Sequence, residues 1–339
     1  MNDEFGSHKN DMIMIRLSII VPIYNVEKYL AKCLNSLLVQ DISSEQYEII
    51  VVNDGSTDNS SSIAELYVNK YPNVTLYSQK NKGLGAARNT GIHRAKGNCL
   101  FFVDSDDYIR PNSLGQILNC FETKKLDALR FNYEVVNDQY QIIKKKKNAV
   151  YNIIYSEKVV DGETFMTQQL GCACYVWVFL FESSFIKNNH FFFNENIYFE
   201  DVEWLVRVMM SAKRIQSINQ QVYFYLQRTG SITQGIQIEN KNKIISDKLY
   251  VIDVLKRMSE TTSNRKVVLW CKGMISLTFM GMLFYVENDL PQRKEEIIEF
   301  LKSKKYLPLK SYHFTLKQQR DLFIINLSPR LYCYLRNKK

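Results

Sequence analysis

Histidine is scarce in this 339-residue chain: only His8, His93, His190 and His313 occur, widely dispersed. With no Gly-x-Ser-x-Gly elbow either, a Ser-His-Asp hydrolase is argued against. There is no Gly-x-x-x-x-Gly-Lys-Ser/Thr loop, which excludes a P-loop. The seven cysteines (Cys33, Cys99, Cys120, Cys172, Cys174, Cys271, Cys333) are odd in number and mostly embedded in apolar runs. Cys172-Ala173-Cys174 lacks CxxC spacing and a second pair, so reduced thiols in a cytoplasmic protein are expected rather than a zinc or redox centre. No secretory signal is apparent, because Met1 to Lys9 is polar, and residues 1–15 are expected to form a disordered leader or tag remnant. Long apolar runs are nearly absent too. The exception, Val267 to Val286, contains Lys272, Ser276, Thr278 and two glycines, so a buried helix is expected there rather than a bilayer span.

Acidic excess is also missing. The net charge is +9, and its source is local: from Lys302 onward, ten Lys or Arg face the single acid Asp321. Apolar and aromatic residues are interleaved with these charges, the composition of a helix lying on an anionic membrane. No nucleic-acid-binding motif accompanies the charge, so no nucleic-acid partner is expected.

What is present begins with alternation. Leu17 to Asn25 reads as a buried strand ending in a polar turn, and Val26 to Val39 as a helix. A second strand, Glu48 to Asn53, breaks at Asp54-Gly55-Ser56-Thr57-Asp58, which also caps a helix from about Ser60. Val74 to Ser78 is a third strand, Gly83 to Lys96 a helix, and Asn98 to Val103 a fourth strand. Strands and helices alternate four times in about 90 residues, the pattern of a doubly wound parallel sheet. Ligands bind such sheets beyond the carboxyl ends of the strands, and three of these ends carry polar residues: Tyr24-Asn25, Asp54, and Asp104 with Asp106.

The last of these is the most informative. Leu100-Phe101-Phe102-Val103 ends abruptly in Asp104-Ser105-Asp106-Asp107. Carboxylates 4 Å apart repel by roughly 4 kcal/mol at an effective dielectric of about 20, so a cation or strong hydrogen bonds must offset the clustering. Oxygen-only donors favour Mg²⁺ or Mn²⁺. The bland alternative is Asp107 capping a helix that begins near Pro111.

Downstream, Pro111 to Phe121 is expected as a helix, Ala128 to Val136 as a strand, Lys144 to Lys147 as a solvated hairpin tip, and Asp161 as the cap of a helix to Leu170. Val176 to Phe181 resumes a strand pattern. Glu200 and Asp201 open an amphipathic helix that runs to about Ala212, where acids on the helix dipole are an ordinary cap. Tyr223 to Tyr225 is a strand, and from Asn240 the pattern is helical throughout. The expected division is 16–125 and 126–235, two halves of one α/β unit, followed by an α-helical subdomain over 236–339.

Taken together, Ile19-Ile20-Val21-Pro22-Ile23-Tyr24-Asn25, Val51-Val52-Asn53-Asp54-Gly55-Ser56-Thr57-Asp58, Asn81-Lys82-Gly83-Leu84-Gly85-Ala86-Ala87-Arg88-Asn89 and Phe102-Val103-Asp104-Ser105-Asp106-Asp107 resemble, in order and spacing, the four N-terminal signatures of the family 2 glycosyltransferases. Phe199-Glu200-Asp201 and Arg228-Thr229-Gly230-Ser231-Ile232-Thr233 resemble later segments of the bacterial polysaccharide-assembly members. The resemblance covers about 220 residues and implies a GT-A fold and inverting transfer from a nucleotide sugar, with a preference for uridine. The acceptor would be a glycan or lipid-linked saccharide of capsule, O-antigen or exopolysaccharide assembly.

By that resemblance Pro22, Tyr24, Asn25, Asp54, Arg88, Asp104, Ser105 and Asp106 form the donor site. Tyr24 and Asp54 would contact the base, Arg88 would lie beside base or diphosphate, and Asp104 would approach the ribose. Asp106 would hold Mn²⁺ or Mg²⁺ against the diphosphate, with Asp201 as general base and Glu200 its neighbour. The Gln-x-x-Arg-Trp motif of processive synthases is absent, so one sugar per encounter is expected. The stretch Tyr175 to Phe181 is more apolar than in relatives. Two other classes stay open: a nucleotidyltransferase that makes nucleotide sugars, and a catalytically silent nucleotide-binding scaffold.

Overall fold

The computed structural model describes residues 14–143, 154–228 and 238–337. The Lys144–Lys147 run, the 229–233 segment, the boundary near 236 and most of the leader lie outside the described residues. The first half alternates as its sequence requires: β1 (Leu17–Ile23), α1 (Glu27–Leu38), β2 (Tyr47–Asn53), α2 (Ser60–Lys70), β3 (Val74–Ser78), α3 (Leu84–Arg94) and β4 (Cys99–Phe102). The four strands pair in parallel in the order β3-β2-β1-β4. β1, β2 and β4 are buried along their whole length, which is why they read as continuous apolar runs. Asp58 starts two helices at once, accepting from Glu27 N (3.0 Å) and Ser60 N (2.9 Å).

The second half departs from an all-parallel sheet. It contains β5 (Tyr108–Ile109), α4 (Leu114–Thr123), β6 (Ala128–Val136), β7 (Ser156–Val160), α5 (Gly162–Phe165), β8 (Phe179–Glu182), α6 (Ser183–Asn188), α7 (Glu200–Ser211) and β9 (Ile215–Leu226). β8 runs antiparallel between β4 and β6, and β5 and β7 pair antiparallel with β9, giving a nine-stranded mixed sheet. Strand direction depends on the path of the connections, and an apolar run does not encode it. Two helical expectations also change. Asp161 does cap a helix, accepting from Thr164 N at 2.7 Å, but after one turn the chain widens into a π-helical turn over Met166–Leu170. α4 starts at Leu114 after Ser113, so Asp107 does not cap it.

One connection bends the sheet. β4 and β5 are separated by β8, β6 and β9, which on a flat sheet is about 19 Å at about 4.8 Å per strand. Only residues 103–107 join them, and a turn closed by Asp107 N donating to Asp104 O (3.0 Å) keeps that link from extending. The sheet therefore curls, bringing Tyr223 of β9 beside β4: its ring is 6.4 Å from Phe101, and Asp104 N donates to its hydroxyl at 3.1 Å. Trp177 fills the space above the short β8, stacked on Tyr175 (5.0 Å), Tyr223 (4.6 Å) and Tyr225 (5.4 Å).

The remaining chain is helical: α8 (Ile238–Thr261), α9 (Arg265–Asp289), α10 (Lys294–Ser303), α11 (Leu316–Leu327) and α12 (Pro329–Asn337). α9 is long and apolar enough to cross a membrane by length and composition. It packs instead as the centre of this helical layer, with Trp270, Cys271, Phe279, Met282 and Leu283 fully buried. All seven cysteines are free thiols.

Candidate active site

Parallel pairing aligns the carboxyl ends of β1, β2 and β4 at one edge, with Ile23 opposite Asn53 and Ile20 opposite Phe102. Tyr24 projects from the first of these ends, 48% exposed, while Pro22 is buried within β1. Asn25 adopts φ 53°, a left-handed conformation that asparagine tolerates better than most residues, and its side chain accepts from Thr57 N at 2.8 Å. Asp54 is 4% exposed and its carboxylate is already engaged. It accepts from Gln79 Nε2 (2.8 Å), Lys82 N (2.9 Å) and Gly83 N (2.8 Å), so it braces the loop that starts α3. Gly83 ends that loop at φ 91°, a conformation that disfavours a side chain.

The acidic turn divides into three roles. Asp107 is structural: its carboxylate accepts from the Tyr223 hydroxyl and Leu226 N, each at 2.7 Å, and burial together with the charges of Asp106 and Asp104 pushes its carboxyl well up. Asp106 keeps 26% of its side chain exposed and pairs with Arg228 Nε at 2.9 Å. Burial, reinforced by Asp104, raises its carboxyl while Arg228 opposes the shift. Asp104, also 26% exposed, pairs with Arg88 Nη2 at 2.9 Å. Ser105 between them is buried.

Arg88, expected beside base or diphosphate, lies at the centre of an ion network. It is 2% exposed and clamps two carboxylates from different segments, Asp104 and, at 2.6 Å, Glu200. Its neighbour Asn89 donates to and accepts from the Phe193 backbone at 2.9 and 2.8 Å, pinning the segment before α7. Gly85 makes this approach feasible, since a Cβ there would lie 2.9 Å from Asn194 O and 3.4 Å from Glu200 Cγ. Phe199, at φ 64°, turns the chain into α7, and Glu200 and Asp201 form its first turn. Burial, with the adjacent Glu200 charge, pushes the Asp201 carboxyl up to about 7 against the opposing pull of Arg88. The structure thus joins Asp104 to Glu200 through Arg88, with Asp201 next to Glu200 in the first turn of α7, while Asp106 pairs separately with Arg228. The sequence offered no signal for the partners of Arg88, for the Asp106–Arg228 pair, or for the part played by Tyr223.

Two carboxylates with oxygen donors, each still partly open, suit a hard cation that takes its other ligands from a diphosphate and water. Among the described residues, no cluster of three or more His, Cys, Asp or Glu could hold a metal without such help.

The family model described as Glycosyl transferase family 2 matches residues 18–183, which span all four N-terminal signatures. Glycosyltransferase GlyG of Streptococcus pneumoniae serotype 4 is 32% identical over 230 residues, 64% of this chain and 72% of GlyG. This chain belongs to glycosyl transferase family 2. The likeness extends to solved structures, which share the expected GT-A fold. Staphylococcus aureus TarS 1–349 in complex with UDP-GlcNAc superposes with TM-score 0.63 at 20% identity, covering 93% of this chain and 91% of that one. The mannosyltransferase PcManGT from Pyrobaculum calidifontis, in complex with GDP-Man and Mn²⁺, superposes with TM-score 0.53 at 13% identity over 95% and 86% of the two chains. In sequence, TarS, a poly(ribitol-phosphate) beta-N-acetylglucosaminyltransferase, is 28% identical over 214 residues, 62% of this chain but 35% of its own length. The chain spans 63% of another relative and about a third of two more. The glycosyltransferase is thus an α/β protein of mixed sheet and C-terminal helices.

Proposed function

We propose that this glycosyltransferase moves one sugar per encounter, with inversion, from a UDP-sugar to a hydroxyl of a cell-envelope polymer, either a polysaccharide or teichoic-acid chain or its lipid-linked precursor. The observation that carries this reading is the single ion network joining Asp104 at the end of β4, through Arg88, to the first turn of α7. It sets Asp104 and the helix turn that carries Asp201, whose carboxyl is pushed up to about 7, on one frame. The UDP-GlcNAc complex of TarS supports the uridine donor and makes UDP-GlcNAc the first to screen.

In this reading Tyr24 stacks on the base and Asp54 positions it through the loop it braces. Asp106 and Asp104 face the diphosphate and would hold Mn²⁺ or Mg²⁺. When bound, the cation neutralises charge growing on the departing diphosphate. Asp201 accepts the acceptor hydroxyl proton as that oxygen bonds to the anomeric carbon and the bond from that carbon to the UDP oxygen breaks on the opposite face. Arg88 is a positioning residue. Free thiols and the use of nucleotide sugars support a cytoplasmic location.

Calorimetric titration with UDP, with and without Mn²⁺, tests the donor site. Metal-dependent binding is expected in the wild type, and Asp106→Ala should weaken it at least about tenfold, or about 1.4 kcal/mol. Binding that ignores both metal and substitution would refute the assignment of Asp106. Failure of UDP, GDP, CDP and dTDP alike would favour the scaffold reading.

The pH profile is a separate check. Because a base must be ionised to act, kcat/KM should rise with pH through an apparent value near 7 and level off above it. A profile flat from pH 5 to 8 would rule out Asp201 as the titrating base.

A further inference from the structure

The last two helices carry apolar residues on their outer faces as well as on their inner ones. In α11 the residues turned into the fold are Asp321, Leu322 and Ile325. The opposite face holds Leu316, Phe323 and Leu327, exposed by 85%, 64% and 66%. At 100° per residue these three fall within an arc of about 40°. α12 repeats the arrangement, with Tyr332 and Cys333 buried and Leu331, Tyr334 and Leu335 between 42% and 56% exposed. Ser328 alone separates the two helices, so the exposed Leu327 and Leu331 lie four residues apart across the joint. Phe284 of α9, 49% exposed, adjoins α12 through Arg336, whose guanidinium lies 5.7 Å from its ring centre.

The charge around this face is basic but for Glu295 of α10, which is half-exposed and paired with Arg330 of α12 at 2.6 Å. Asp321, the only acid beyond Lys302, is 3% exposed and already paired with Arg320 and Arg336. Lys310 and Lys317 have no carboxylate partner among the described residues. A second copy of the chain docking on the same face would set these cations against their own kind. An anionic bilayer offers the complementary charge and an apolar layer for the stripe.

We infer that the outer faces of α11 and α12 dock on an anionic phospholipid surface, with Leu316, Phe323, Leu327, Leu331 and Leu335 entering the acyl boundary and the surrounding Lys and Arg meeting the headgroups. The inference is independent of the donor reading. It would place the enzyme where lipid-anchored polymers are within reach.

Vesicle flotation of the full chain tests this. Binding is expected to vesicles containing phosphatidylglycerol and to fall at least about tenfold with pure phosphatidylcholine or with salt raised from about 0.1 M to about 0.5 M. Phe323→Ser with Leu327→Ser should abolish it while leaving UDP binding and thermal melting unchanged. A positive readout comes from Phe323→Trp: Trp177, Trp204 and Trp270 are all buried, so an exposed indole at 323 should report insertion by a blue-shifted emission on addition of anionic vesicles. No flotation and no shift would overturn the proposal. So would concentration-dependent dimerisation, lost in the double serine variant, without vesicle binding, which would assign the face to a second copy.

Discussion

Asp201→Asn is expected to lower kcat by about 10² to 10⁴ while leaving UDP affinity unchanged, because it removes the proton acceptor and no donor contact. The same variant should melt at a higher temperature at pH 8. The Asp201 carboxyl is held at about 7 in the fold, against about 3.9 in an unfolded chain. Below the unfolded value both states keep the proton, and the group has no effect on stability. As pH rises toward 7 the unfolded chain releases its proton first, so stability falls, and above 7 the deficit is constant. Asparagine avoids that deficit. Single-turnover transfer and melting curves at pH 5 and pH 8 check both halves. A loss of kcat smaller than about tenfold would remove Asp201 from the base role, whatever the melting curves show.

Arg88→Met is expected to damage both stability and activity. It strands Glu200, 7% exposed, and Asp104 without the guanidinium that now bridges them. Breaking a buried pair from one side costs about 3–5 kcal/mol, a fall in Tm on the order of 5–10 °C in a chain of this size. Lysine should rescue little, since an ammonium lacks the planar fork that reaches two carboxylates at once. Adding Glu200→Gln to Arg88→Met should recover part of the lost stability by removing one stranded charge. Strictly additive losses would contradict the network. Donor affinity and the pH limb should move together in Arg88→Lys, because the clamp touches both the Asp104 side and the Asp201 side.

The parts of this site legible in the sequence are those where local chemistry conflicts with its surroundings. Three acids closing a buried strand need an explanation from sequence alone, and Asp58 before Ser60 states its capping role in its own spacing. Partners brought together by folding are different. Arg88 meets Glu200 across 112 residues and Asp106 meets Arg228 across 122, and no local pattern marks either pair. The first half of β9 was hidden because Gln216, Asn219, Gln220 and Gln221 interrupt its apolar alternation, yet β6 pairs there with Ile215, Gln216 and Ser217 and β7 with Ile215 and Ser217. The basic, apolar tail was visible as composition. Which of its apolar residues turn outward depends on how α11 and α12 pack, and only the folded chain decides that.

The acidic turn is fastened from outside itself: the Tyr223 hydroxyl accepts from Asp104 N and donates to the Asp107 carboxylate, gripping both ends of the turn. Tyr223 in turn is stacked on Trp177. The placement of Asp104 and Asp106 is therefore tied to an aromatic stack that meets no ligand, and a smaller side chain at position 177 would loosen that grip from a distance.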